Sequence, residues 1–323
     1  MKKILYLLLA AVLLLTGCAP AAPSETTAAT EQTQKATEAP KDIMQKADPA
    51  ADDTLNILMI GNSFCYYFPD ELYGIATAAG LKLRVCNVYY SGCLLMSHWG
   101  WWKLKEAHYE FFTLDENGRK KESEKDLNFC LQQQNWDVIS LQEASGGVLK
   151  TTAQKHLEDT KVYRAELFGY LKEQFPQSKL YWHQTWAYQI GYNRNGFKME
   201  TVAQQKEYAQ KQHDFAVATC QEFGVGRINT GEAWEIARAH PDVGDVLCAR
   251  IGKGSNNEGD YYHDGDVAGG QYSNACVWYE VLTGQSCIGN TFRPTYELSE
   301  AKIAALQQCA HQAVENLNQS GVK

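Results

Sequence analysis

The most constraining feature of this chain is a regular alternation of short apolar runs with longer amphipathic segments. It begins at Leu55-Asn-Ile-Leu-Met-Ile60 and stops at Gly61. So short a run of mostly apolar residues reads as a strand buried on both sides. Residues 69–79 follow as a helix, with Pro69 at its start and Gly80 at its stop, the asymmetry that helix ends favour. The pattern then repeats. Strands are predicted over 82–89, 137–141, 179–183 and 226–229, and helices over 122–133, 152–173, 201–222, 231–239, 273–282 and 299–317. Residues 98–121 are aromatic and read as irregular, with a hairpin turn at Asp115-Glu-Asn-Gly118.

Strand–helix alternation at this spacing implies a parallel sheet covered on both faces by right-handed crossovers, a three-layer α/β/α sandwich. In such sheets ligands sit beyond the carboxyl ends of the strands. That rule predicts one shared rim for residues 61–64, 90–93, 142–147 and 183–186.

Composition narrows the function classes. The 323 residues are 45% hydrophobic and 21% charged, with a net charge of −8. The chain is therefore globular, and a nucleic-acid partner is not expected. Eight Trp and eighteen Tyr suit an ordinary core first and sugar faces second. Lys2 and Lys3 precede an apolar run over 4–15, too short to span a bilayer. It ends in Leu15-Thr16-Gly17-Cys18, which resembles the lipobox of bacterial lipoproteins. The resemblance implies removal of residues 1–17, acylation of Cys18 and a lipid-anchored protein on the extracytoplasmic face of the cell membrane. Each buried acyl CH₂ contributes about 0.8 kcal/mol, so two or more chains anchor firmly. Residues 18–53 have almost nothing to bury and are expected to be a flexible linker. One domain is predicted over 54–323. Besides Cys18, nine of the ten cysteines remain, and none forms a CxxC pair. Several lie in apolar stretches, where free Cys behaves as a small hydrophobe.

Ile60-Gly61-Asn62-Ser63-Phe64 places a hydroxyl at the turn from the first strand into the first helix. Dinucleotide-binding glycines and a P-loop lysine are both missing there. A serine nucleophile needs a base, and the base an orienting carboxylate. Of eight histidines, His263 sits in Gly259-Asp260-Tyr-Tyr-His263-Asp264-Gly265-Asp266, a Gly/Asp-rich loop before a C-terminal helix. Asp260 and His263 on one turn can pair through Nδ1, leaving Nε2 for the hydroxyl. Asp264 is the alternative acid, and His183, at a strand end, the alternative base. Asp264-Gly265-Asp266 lacks the remaining EF-hand positions and reads as a turn, so no metal is expected.

In these blocks the chain resembles the SGNH (GDSL-type) hydrolases, in a bacterial branch that begins with a G-N-S-F block. Gly61-Asn62-Ser63-Phe64 matches the first block, Gly92 the second and Asp260-Tyr-Tyr-His263 the last, and Asn274 to Glu280 looks like the branch's following helix. The resemblance implies a flavodoxin-like α/β/α fold and a Ser63–His263–Asp260 triad. It implies an oxyanion held by the Ser63 and Gly92 N–H groups, with Asn62 in the substrate-binding set, and no cofactor. The expected substrates are carbohydrate O-acyl or O-acetyl esters, small or on a glycan. The third block departs from the family, reading Gln142-Glu-Ala-Ser-Gly-Gly147 where an Asn is expected. Gln142 carries the same amide on a longer arm and is the candidate substitute; an amide at a rim equally serves to bond neighbouring loops. Trp182-His-Gln-Thr-Trp186 reads as a pocket wall. The rival class is a non-catalytic lipoprotein that binds a glycan or solute on the same fold.

Overall fold

The computed structural model describes residues 53–194, 197–244 and 269–321. Cys18, the signal and linker segments before residue 53, and the loop carrying Asp260, His263 and Asp264 lie outside the described residues.

The predicted first strand is β1, Thr54–Gly61, followed by a short 3-10 turn at Ser63–Cys65 and by α1, Pro69–Ala78. Its apolar residues are consumed on both faces. Ile57 and Met59 pack into the core cluster with Leu72 and Ile75 of α1, and by the two-residue period Leu58 and Ile60 take the opposite face, also fully buried. Each such side chain contributes about 1.5–3 kcal/mol when fully buried. Next come β2 (Lys82–Tyr89), α2 (Leu95–Leu104), β3 (Tyr109–Asp115), β4 (Gly118–Lys125), α3 (Leu127–Gln132), β5 (Val138–Leu141), α4 (Ser145–Leu149), α5 (Ala153–Gln174) and β6 (Lys179–His183). A two-residue pair, β7 (Asn193–Arg194) and β8 (Phe197–Lys198), forms its own ribbon. The chain continues with α6 (Val202–Phe223), β9 (Gly226–Ile228), α7 (Thr230–Ala239), α8 (Gly270–Thr283) and α9 (Glu300–Gln319).

The main sheet has the order β4-β3-β2-β1-β5-β6-β9, with β2, β1, β5, β6 and β9 parallel and β3 and β4 added antiparallel at the β2 edge. Among the parallel strands this is the flavodoxin-like doubly wound order. Helices α1, α7, α8 and α9 pack together in one layer, and α2, α3, α4, α5 and α6 make the other set of contacts. The α/β sandwich predicted from the strand–helix alternation is the fold observed. No helix among the described residues is long and apolar enough to cross a membrane.

Residues 98–121 are more ordered than the sequence suggested. The turn at 115–118 does close a hairpin, and its strands extend the sheet by pairing β3 with β2. β4 is exposed over almost all its length and carries no apolar face, so its sequence gave no strand signal. The helix expected from residue 122 starts instead at Leu127, because Glu122 and Lys125 still pair with β3. Asp126 then caps it, its Oδ1 accepting the Phe129 N–H at 2.7 Å.

Candidate active site

The rim beyond β1, β2 and β5 surrounds a cavity of about 410 Å³. Ser63 forms part of its lining, at the first position of the 3-10 turn, and is 8% exposed. Asn62 fixes that turn from three sides. Its Oδ1 accepts the Phe64 N–H at 3.0 Å and a Gln142 Nε2–H at 2.6 Å, and its Nδ2 donates to the Cys93 carbonyl at 3.0 Å. The last bond ties the Ser63 turn to the second rim loop. That loop is a turn closed by the Cys93 N–H on the Tyr90 carbonyl, with Gly92 at φ +64°, the left-handed conformation glycine adopts without strain. Gly92 also lines the cavity, so the first two predicted blocks share one site.

The third block contributes differently from expectation. Ala144, Ser145, Gly146 and Gly147 line the cavity, whereas Gln142 is 1% exposed and lies behind it. Its side chain crosses Gly61 so closely that a Cβ there would sit 2.6 Å from Gln142 Cγ. The amide donates to Asn62 and its Oε1 lies 3.2 Å from His183 Nδ1. Gln142 therefore holds the Ser63 turn from behind, which is the second of the two roles expected for a rim amide. Asn62 itself borders the cavity, but its amide is used within the protein. Glu143, next in sequence, is buried, and its Oε1 accepts the N–H groups of Leu95 and Ala144, which tethers the start of α2 to the start of α4.

The wall predicted at 182–186 also shifts. Trp182 packs in the core against Phe168 and Phe215, and Trp186 backs Phe64 at 4.7 Å between ring centroids. The wall facing Ser63 comes from Tyr188 and Tyr192, whose rings lie 4.3 Å apart. Sequence reasoning missed both. The signal was an aromatic pair four residues apart just beyond a predicted strand end. Lys150 lines the same cavity.

Among the described residues no histidine lines this cavity. His183, the alternative base, has both ring nitrogens engaged, with Thr230 Oγ1 3.0 Å from Nε2, and burial pushes its pKa down to about 3. It is a poor proton acceptor and is removed from the candidate bases. His98 is fully buried against Tyr109, its pKa lowered by burial to about 3. His213 pairs with Glu232 and His311 with Glu280.

A second cavity, about 310 Å³, lies between α6 and α7 and includes Gln184, Thr185, Gln212, His213 and Glu232 in its lining. His213 and Glu232 in its lining bind each other. Buried Arg227 donates to Glu232 and, at 2.8 Å, to Gln184 Oε1. No group of His, Cys, Asp and Glu able to hold a metal occurs among the described residues.

The family described as Domain of unknown function (DUF4886) matches residues 56–313. Of solved structures, a DUF4886 family protein from Bacteroides uniformis is similar with a TM-score of 0.71 and 27% identity, covering 81% of this chain and 95% of that one. An acetyl xylan esterase, AlAXEase, is similar at 13% identity with a TM-score of 0.45, covering 71% and 100%. An extracellular lipase from Streptomyces rimosus is similar at 10% identity with a TM-score of 0.42, covering 71% and 99%. Likeness at those two levels says nothing of substrate or of active-site residues. No curated protein matches the chain.

Proposed function

The chain belongs to the DUF4886 family, and from that premise we propose that it is a serine esterase acting on O-acyl groups of carbohydrates, with Ser63 as nucleophile. The observation that carries this reading is the cavity that Ser63 and Gly92 line together at the carboxyl ends of two parallel strands. In the mechanism, His263 takes the Ser63 hydroxyl proton as Oγ attacks the ester carbonyl, and Asp260 steadies the imidazole through Nδ1. The Ser63 and Gly92 N–H groups hold the oxyanion, a contribution of about 2.7–4 kcal/mol per donor to the barrier. The tetrahedral intermediate collapses, the leaving alcohol receives the proton from His263, and an acyl-Ser63 ester remains. Water, deprotonated by His263, then releases the acid and restores Ser63.

Two features support the assignment of base and substrate. The Asp260-Tyr-Tyr-His263 resemblance supplies His263 as the base. Tyr188 and Tyr192 border the cavity, and aromatic rings are the side chains against which sugars pack. The lipobox-like segment ending at Cys18 supports anchoring on the outer face of the membrane, where envelope or environmental glycans are in reach.

The test is hydrolysis of p-nitrophenyl acetate and of O-acetylated polysaccharides by the purified protein. Ser63→Ala and His263→Ala are each expected to remove activity to background. Activity that survives Ser63→Ala takes the serine out of the mechanism, and a folded wild type inactive on every ester leaves a solute-binding lipoprotein as the reading.

A further inference from the structure

We infer that His183 is a positioning residue, a neutral imidazole protonated on Nδ1 that holds the Ser63 turn through Gln142 and Asn62. The inference rests on the serine-esterase reading for its kinetic consequence and on hydrogen-bond polarity for its direction.

The polarity can be followed atom by atom. At Asn62 the amide has one possible orientation, since Oδ1 faces a backbone N–H (Phe64) and Nδ2 faces a backbone carbonyl (Cys93). Asn62 Oδ1 is therefore an acceptor, which makes the Gln142 atom 2.6 Å away a donor, Nε2. Gln142 must then present Oε1 to His183, and an oxygen at 3.2 Å demands a proton on Nδ1. On the far side of the ring, Thr230 Oγ1 lies 3.0 Å from Nε2 and 2.6 Å from the Gln184 carbonyl. The hydroxyl has one proton to give. The 2.6 Å contact to the carbonyl takes it, and Nε2 stays without a proton, since one there would make the ring a buried cation. None of the hydrogen bonds to His183 comes from a carboxylate, and an uncompensated buried charge is strongly disfavoured. The Gln184 carbonyl also accepts the Gly231 N–H at 3.2 Å. The chain of donors thus runs from His183 through Gln142 to Asn62 beside Ser63, with Thr230 at the start of α7 behind the ring. Phe68, Trp186 and Trp278 surround the imidazole with ring centroids at 5.9, 6.4 and 5.2 Å, which limits its movement.

This wiring connects the last two parallel strands to the first. β6 ends at His183, and Thr230 follows β9, while the turn they steady follows β1. A small displacement of a reacting group can lower a rate about 10²-fold, even when the altered residue does not touch substrate.

Two substitutions separate donor position from size. Asn places an amide N–H where Nδ1–H stood, while Gln fills more of the imidazole volume but reaches toward Thr230. His183→Asn is expected to keep the rate of fluorophosphonate labelling at Ser63 within about threefold of wild type, and His183→Gln and His183→Leu to slow it about tenfold to 10²-fold. For p-nitrophenyl acetate the loss should fall on kcat, with KM little changed. A merely structural residue would follow size, with Gln better than Asn, and that order overturns the inference. Equal rates in all variants overturn it too, and so does loss to the Ser63→Ala background in all three, the mark of a proton carrier. The second arm needs no activity: nitrogen NMR of ¹⁵N-histidine-labelled wild type, with the His183 signals assigned by their absence in His183→Asn. A protonated Nδ1 with a bare Nε2 at neutral pH is expected, and an Nε2–H tautomer or an imidazolium contradicts it. If wild type fails to label at all, the esterase reading fails while the tautomer still decides the wiring.

Discussion

Two cavities flank the loop that follows β6, and their polar groups do different things. Between α6 and α7, Arg227, His213 and Asn229 all converge on Glu232. The group is dense in charge, and its members are bound to each other. Beside β1, the cavity is lined by a serine hydroxyl, glycines and two tyrosines, and the hydrogen bonds that fix it lie behind its wall, in Asn62, Gln142 and His183. The charged cluster holds the fold together where the last strand meets its helix. The sparsely charged cavity, with Lys150 in its lining, leaves a hydroxyl beside a space that a small ester can enter. The proposed reactive place is thus the cavity with less charge, where a hydrogen-bonded neutral turn presents the hydroxyl.

The comparison can be broken at several points. The largest effect is expected at Gly61, where a methyl group would meet the pinned Gln142 side chain within 3 Å. Gly61→Ala should lower esterase kcat about 10²-fold and destabilise by about 1–3 kcal/mol, the usual cost of overpacking. Activity assays and urea unfolding on one preparation measure both. Unchanged activity would mean that the relay behind Ser63 is dispensable.

Glu232→Gln should do the reverse, with esterase activity within about twofold of wild type but stability reduced by about 3 kcal/mol, as when one partner of a buried pair is removed. The expected pH dependence has a defined sign. Burial pushes the Glu232 carboxyl up, but the His213 hydrogen bond, the Arg227 charge and the Asn229 and Arg227 hydrogen bonds together outweigh it and hold the pKa at about 2 against an ordinary 4.5. A depressed folded-state pKa gives stability that is complete above the unfolded value. It is lost as pH falls from about 4.5 to about 2. The difference in urea midpoint between wild type and Glu232→Gln should therefore shrink across that window. A constant difference would remove the ion pair from the account.

The smallest effect concerns Cys65, two residues from Ser63. Its thiol is buried, and burial pushes its pKa up to about 12, against hydrogen bonds that lower it. Iodoacetamide at neutral pH should leave activity unchanged and Cys65 unmodified by mass spectrometry. Modification with loss of activity would show that the rim opens more than the packed structure allows.

Much of this was legible in the sequence, and the failures have physical causes. β1 and its stop at Gly61 were readable because a strand buried on both faces must be apolar throughout. The hairpin turn at 115–118 was readable from its Asn-Gly. α2 was not, since Leu95 to Leu104 mixes three tryptophans with Gly100, and no side chain caps its start; tertiary burial of Leu95, His98 and Trp102 and the bond from Leu95 to Glu143 hold it. β4 was hidden because a solvated edge strand needs no hydrophobic period. At the site, Ser63 and Gly92 could be placed from their strand ends, for topology alone brings those ends together. Gln142 could not be oriented, because an amide serves a cavity or a neighbour equally well, and its direction is set by Asn62 and His183 from distant parts of the chain.

The most direct measurement is the site of covalent attachment of a fluorophosphonate on the full-length protein, mapped by tandem mass spectrometry. A single adduct on Ser63, absent after Ser63→Ala, is the predicted result. An adduct on another residue, or labelling undiminished by Ser63→Ala, contradicts the assignment of the nucleophile.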